Sequence, residues 1–202
     1  MSANPRIRIN PYDEHVIIFG QSGTGKSTFA EYLLKNYLRD KPFWLWDYSD
    51  EHKIEGVPSV YGVENLKYKS AVYKLVEGSD DEFEAFCVKA MTFTNLTVVI
   101  EEVQEYASKF GLPASLARLV RTGRRRGITY ISISQRPAEI HNAIVSNSHH
   151  RFIFRLDLPT DIEYLEKWIR CPKEVIQRLP NYHFYYYSPR TGISQIFKPV
   201  KV

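Results

Sequence analysis

The sequence predicts an α/β fold of three layers, a mostly parallel central sheet with helices on both faces, and two features carry that prediction. Short apolar runs alternate with helix-spaced segments along most of the 202 residues, the pattern that links parallel strands through helical crossovers. Several of those runs lack any polar alternation, as strands covered on both faces do.

The first run, His15 to Phe19, reads as a strand and passes through a glycine-rich turn into a helix over Ser27 to Leu38. Strands are expected at Phe43 to Trp46, Ala71 to Val76 and Leu96 to Ile100, with a helix over Asp80 to Phe93 before the last of them. The segment Ser49 to Lys69 is polar and rich in turn-formers, and reads as an irregular excursion from the sheet. A helix over Pro113 to Arg125 leads to a strand at Thr129 to Ser134, followed by a helix over Ala138 to Ser146 and a strand at Arg151 to Leu156. Two short helices, Thr160 to Ile169 and Pro172 to Leu179, precede Tyr182 to Tyr187 and Ile193 to Phe197, which flank a Ser188 to Gly192 turn as a C-terminal β-hairpin. With no internal repeat or linker, residues 1–202 read as a single domain.

Composition bounds the function. A 44% hydrophobic, 25% charged chain is that of a folded globular protein, and no stretch approaches the roughly 20 apolar residues that span a bilayer. An intracellular, cytoplasmic protein is expected. The two cysteines, Cys87 and Cys171, match no metal-ligand spacing and read as buried free thiols. A net charge of +4 is too small to prove a nucleic-acid partner by itself.

The strongest chemical signal is Gly20-Gln21-Ser22-Gly23-Thr24-Gly25-Lys26-Ser27, followed by Thr28, which fits G-x-x-x-x-G-K-[ST] between an apolar strand and a helix. Such a loop folds its backbone N–H groups around phosphates at the positive end of the helix. Lys26 then reaches the β- and γ-phosphates and the Ser27 hydroxyl ligates Mg2+, so ATP with Mg2+ is the expected ligand. An unoccupied glycine-rich turn is the bland alternative.

The run Leu96 to Ile100 ends in Glu101-Glu102. Next to such a cradle, one acid serves the metal and another orients the attacking water. Glu101 is assigned to the metal side and Glu102 as catalytic base, although Asp is commoner at the first position. Gln135, just past the Thr129 to Ser134 strand, stands where ligands bind in open α/β sheets, and its amide is suited to sensing the γ-phosphate and the lytic water. Asp47 either approaches this site or simply ends its strand.

Arg121, Arg124, Arg125 and Arg126 concentrate four cations within six residues at a helix C-terminus, which alone reads as a solvated basic helix end. The run Arg121 to Ile128, an apolar strand and then Gln135-Arg136-Pro137, taken with the cradle and the Glu pair, resembles the FtsK/HerA superfamily of ring-forming DNA pumps over Val16 to Pro137. Within it the chain is most similar to the genome-packaging ATPases of viruses with an internal membrane and double-jelly-roll capsid, those of archaeal turreted icosahedral viruses in particular.

That resemblance implies a RecA-like core, a Mg-dependent ATPase, a homo-oligomer in a hexameric ring, and translocation of double-stranded DNA into a preformed capsid. It also implies an arginine acting on the nucleotide of a neighbouring subunit: Arg124 first, then Arg121, with Arg125 or Arg126 on DNA phosphates. Lys53 and Lys109 are candidate channel cations. Capsid or membrane-vertex proteins are the further partners implied, with possible association to the virion.

Trp44 and Trp46 read as core residues, the aromatic run Tyr182 to Tyr187 reads as core or subunit packing with base stacking as the alternative, and His149-His150 lacks the spacing of a zinc site. Rival functions remain: a small nucleoside or metabolite kinase, which needs an acceptor pocket and a lid; a GTP switch, disfavoured because no Asn-Lys-x-Asp occurs; and a conjugation or mobilisation ATPase of the same superfamily.

Overall fold

The computed structural model describes residues 7–37, 40–169 and 171–200. Leu38, with which the first expected helix ends, lies outside the described residues.

Among the described residues, nine strands form one sheet. In chain order they are β1 (Val16–Phe19), β2 (Phe43–Asp47), β3 (Ser59–Val60), β4 (Ala71–Lys74), β5 (Thr97–Ile100), β6 (Thr129–Ser134), β7 (His150–Ile153), β8 (Phe184–Tyr187) and β9 (Ser194–Phe197). The spatial order is β3-β4-β2-β5-β6-β1-β7-β8-β9. The first seven in space are paired in parallel, and only the final hairpin, β8 and β9, runs antiparallel. This is a RecA-like P-loop NTPase fold.

Alternate residues of the unbroken apolar strands enter two separate cores, as period-2 geometry requires. Ile17 and Phe19 of β1 face one core and Val16 and Ile18 the other. The first core is covered by α2 (Asp80–Ala90), α3 (Ala114–Thr122), α4 (Asn142–Asn147), α5 (Pro159–Ile169) and α6 (Lys173–Arg178). Of the helices, the second core is supplied by α1 (Lys26–Asn36), through Phe29, Ala30, Leu33 and Leu34. Trp44 and Trp46 are fully buried on the first face, where the Trp46 ring stacks on Tyr73 at 5.2 Å and meets Phe83 and Phe86 edgewise or tilted. Burying such rings is among the largest single contributions to a core. Cys87 and Cys171 are buried and free, as expected.

Local chemistry explains where the elements depart from the sequence expectation. The strand expected to reach Val76 stops at Lys74, because the Glu82 carboxylate takes the N–H groups of Val76, Glu77 and Gly78 while the Ser79 hydroxyl accepts from Glu82 N. That Ser-to-Glu spacing is an N-capping signature, and Asp80 and Asp81 add negative charge at the positive helix end. The polar excursion is not wholly irregular, since β3 adds an edge strand beside β4. The expected Ala138 to Ser146 helix is broken. Pro137–Glu139 forms one 3-10 turn, Ile140 is extended and bridges to Ser108, and the His141 side chain caps α4 by accepting from Ala143 N.

Candidate nucleotide-binding and catalytic site

In the parallel part of the sheet, the turns that follow β1, β5 and β6 lie together at the carboxyl edge, because these three strands are adjacent and in register. Each turn carries one part of the expected site.

The glycine-rich loop follows β1. Gly20 N donates to Ser134 O at 3.3 Å and Gln21 N to Arg155 O at 3.0 Å, which ties the loop to β6 and to the residues after β7. A Cβ at Gly20 would come within 2.6 Å of the Phe154 Cβ, so only glycine fits that approach. Inside the loop, Thr24 Oγ1 donates to Gln21 O at 2.7 Å, and Lys26 Nζ to the same carbonyl at 3.0 Å. Lys26 is thus folded over the cradle and nearly buried; desolvation lowers its pKa, opposed by the charges of Glu102 and Glu101. The α1 N-terminus is left without a side-chain cap, its N–H groups facing the loop as an anion site.

Glu101 and Glu102 sit side by side and do different things. Glu101 is buried and accepts from Ser49 Oγ at 2.8 Å, His52 Nε2 at 2.6 Å and Ser27 Oγ at 3.5 Å. Burial works to raise its pKa, but the hydrogen bond and charge of His52, with the Ser49 bonds, outweigh it and hold the carboxyl below the usual range. His52 in turn reaches Glu31 of α1 through Nδ1 at 2.9 Å. Burial opposes its protonation, yet the two carboxylates win and raise it to about 9.

Asp47 does not turn toward the phosphate loop. It accepts from the backbone of Glu51 and His52 and from Lys74, anchoring the loop after β2. Asp47, His52 and Glu101 offer ligand atoms within 4.8 Å of one another. Both ring nitrogens of His52 are already engaged, Nδ1 by Glu31 and Nε2 by Glu101. The Ser27 hydroxyl facing a Glu101 carboxylate oxygen is the oxygen-donor pair that Mg2+ prefers.

Glu102 adopts φ 43°, ψ 49°, a left-handed conformation costly for a non-glycine residue. Its carboxylate accepts from Gln135 Nε2 at 2.5 Å and Gln104 Nε2 at 2.7 Å. Arg136 and Ala138 N both bond the fully buried Asp161 of α5, which fixes the turn that carries Gln135. Lys26, Ser27, Thr28, Glu101, Glu102 and Gln135 all line one cavity of about 270 Å³. A larger cavity of about 420 Å³ beside α1 is lined by aromatic and aliphatic side chains with Arg8 and Lys198, and none of the described residues lining it is a carboxylate.

The arginines stand elsewhere. Arg121 to Arg126 precede β6 and so lie at the amino edge of the sheet, across from the cavity. Arg126 Nη1 donates to Met91 O at 2.6 Å, ending α2, and Arg124 is held by His149 and by Asp13 at 3.6 Å. Arg121 and Arg125 are exposed. His150 is engaged by Glu14 and Tyr186. Lys53 and Lys109 are both exposed, Lys109 beside a Phe110 ring that is 93% accessible.

Sequence reading missed His52, Ser49 and Tyr182. The first two sit in the polar excursion and mark themselves by no local motif. In sequence Tyr182 opens the aromatic run, but β8 begins only at Phe184, and Tyr182 lies instead against the phosphate loop with its N–H on Thr24 O at 3.0 Å.

No family model matches the sequence. The protein is 25% identical to Protein P9 of Pseudoalteromonas phage PM2 over 147 residues, which are 68% of this chain and 66% of P9, just short of two thirds of that relative. Among solved structures, the genome packaging NTPase B204 from Sulfolobus turreted icosahedral virus 2, in complex with sulfate, superposes with a TM-score of 0.80 at 19% identity, covering 96% of this chain and 99% of B204. The chain has the B204 fold. B204 has also been solved with AMPPCP, at a TM-score of 0.78. The monomer form of the pCW3 conjugation coupling protein TcpA, with ATPgS, matches at 0.60 and 18% identity, over 93% of this chain and 60% of TcpA. The same fold thus recurs in TcpA, described as a conjugation coupling protein.

Proposed function

We propose that this protein is an ATP-hydrolysing motor that moves double-stranded DNA, acting in the packaging of a viral genome into a preformed capsid. The observation that carries the reading is the convergence of Lys26, Ser27, Glu101, Glu102 and Gln135 on one cavity. Likeness to B204, described as a genome packaging NTPase, supports the biological setting. Residues 1–202 act as one motor domain.

In this reading the loop N–H groups and Lys26 neutralise the β- and γ-phosphates. Ser27 and Glu101 would hold Mg2+, which, when bound, withdraws charge from the phosphate oxygens. Glu102 accepts a proton from the lytic water, and Gln135, bonded to Glu102, orients that water and registers the γ-phosphate. Neither Arg124 nor Arg121 reaches the cavity of its own chain, so an arginine contribution comes from a neighbouring subunit of a homo-oligomeric, six-membered ring. Arg125, Lys53 and Lys109 are exposed cations suited to tracking DNA phosphates without reading bases. Capsid or membrane-vertex proteins recruit the motor in the host cytoplasm.

ATP hydrolysis measured with and without long duplex DNA over a salt series tests this. A rise with DNA that fades as salt increases supports the motor; DNA-independent turnover at every protein concentration favours the small-kinase reading. Likeness to TcpA keeps conjugative DNA transfer as a second setting for the same mechanism, distinguished by whether the protein co-purifies with capsids or with a conjugation complex.

A further inference from the structure

We propose that Tyr182 is the platform on which the nucleobase stacks, and that the base lies in the apolar cavity between Tyr182 and the C-terminal segment. This rests on the nucleotide reading above and extends it to the part of the ligand that the phosphate motif does not address.

Three observations carry it. First, Tyr182 is built onto the phosphate loop. Its N–H donates to Thr24 O at 3.0 Å, and a Cβ on Gly25 would come within 2.6 Å of its ring, so the ring rests on the Gly25 backbone. Gly25, at φ 104°, has no side chain to hold it off. Second, Tyr182 is kept there at a conformational cost. Its φ is 64°, in the left-handed region that a bulky residue rarely enters, as is common where structure serves a ligand. Even so Tyr182 stays 52% exposed, so it is not there to complete the core.

Third, the space beside it has the right chemistry. A second cavity, of about 210 Å³, shares Gly25, Thr28 and Tyr182 with the phosphate cavity but none of its acids, and is closed by Phe29, Phe154, Pro199 and Val200. A triphosphate whose terminal group meets Lys26, Glu101 and Glu102 leaves the cradle past the shared residues. Its sugar then follows Thr28 and its base enters this apolar space. Rings stacked on aromatic faces gain affinity whatever the base edge presents. Among the described residues lining this second cavity, only Tyr182 and Thr28 bear polar side-chain groups, so it holds a base by its face rather than by its edge.

The test is equilibrium binding of ATP, GTP and inorganic tripolyphosphate to the full chain and to two variants. Tyr182→Asn removes the ring while keeping a residue that tolerates positive φ; Tyr182→Phe keeps the ring. The expected result is a loss of about tenfold or more in ATP and GTP affinity for Tyr182→Asn. Tripolyphosphate affinity should stay within about twofold, and Tyr182→Phe should bind like the unaltered protein. Unchanged ATP affinity in a folded Tyr182→Asn, or parallel losses for ATP and tripolyphosphate, overturns the platform and leaves the phosphate site standing. An unaltered protein that binds neither ATP nor tripolyphosphate overturns both.

Discussion

Gln135 donates its side-chain amide to the Glu102 carboxylate at 2.5 Å, joining the turns beyond β6 and β5 directly at the mouth of the phosphate cavity. Glu102 pays for that position with a left-handed backbone. Removing its basicity while keeping its shape separates binding from chemistry. Glu102→Gln should bind ATP with near-normal affinity and lose hydrolysis by about 100-fold or more, the usual worth of a positioned base. Phosphate release together with nucleotide binding checks it, and normal turnover removes Glu102 as the base.

Lys26→Ala should fail earlier. The amine is folded onto Gln21 O inside the loop, so its loss takes away the cation facing the phosphates. Nucleotide binding itself, measured directly, should weaken along with turnover.

His52 clamps Glu101 to Glu31, one ring nitrogen to each. His52→Ala should leave Glu101 without its strongest partner and misplace the carboxylate opposite Ser27. A rise of about tenfold in the Mg2+ concentration for half-maximal turnover is expected, typical of residues that orient a metal ligand. A change in maximal rate with no shift in the Mg2+ requirement would assign His52 a different role.

Lys41 is buried and donates to the Pro11 carbonyl and to Thr129 Oγ1, and burial lowers its amine from 10.5 to about 7. Between about 7 and its ordinary value the unfolded chain holds a proton that the folded chain does not, so this group makes stability rise with pH across that window. Lys41→Met should melt with a flatter pH dependence above pH 7 than the unaltered protein. Identical slopes would show that the amine stays charged in place.

Arg124 lies at the sheet edge opposite its own cavity, with Asp13 and His149. Arg124→Ala should therefore lose turnover, by about 1000-fold if it acts as a finger, and regain part of it when mixed with Lys26→Ala. Each variant then supplies what the other lacks. Absence of rescue at concentrations where the chains assemble counts against a finger in trans.

Much of this architecture is legible along the chain because its signals are local. Unbroken apolar strands marked the parallel sheet, and the loop from Gly20 to Ser27 carries its chemistry in contiguous residues. Glu101, Glu102 and Gln135 follow strands directly, so reading strand ends placed them. What escaped is long-range. His52 acquires its role only when the polar excursion folds back on β5, and Tyr182 only when the hairpin brings it over Gly25, separations that no periodicity encodes. Arg126 adds a contact that the sequence does not mark: its Nη1 donates to Met91 O at the end of α2.

The central claim, that hydrolysis at this site drives movement along duplex DNA, is tested most directly by displacement of a third strand from a long triplex-bearing duplex. The assembled protein should release that strand in an ATP-dependent manner, and Glu102→Gln should release none while still binding ATP. Steady ATP hydrolysis without strand release, under conditions where the protein is oligomeric and DNA-bound, would contradict the account.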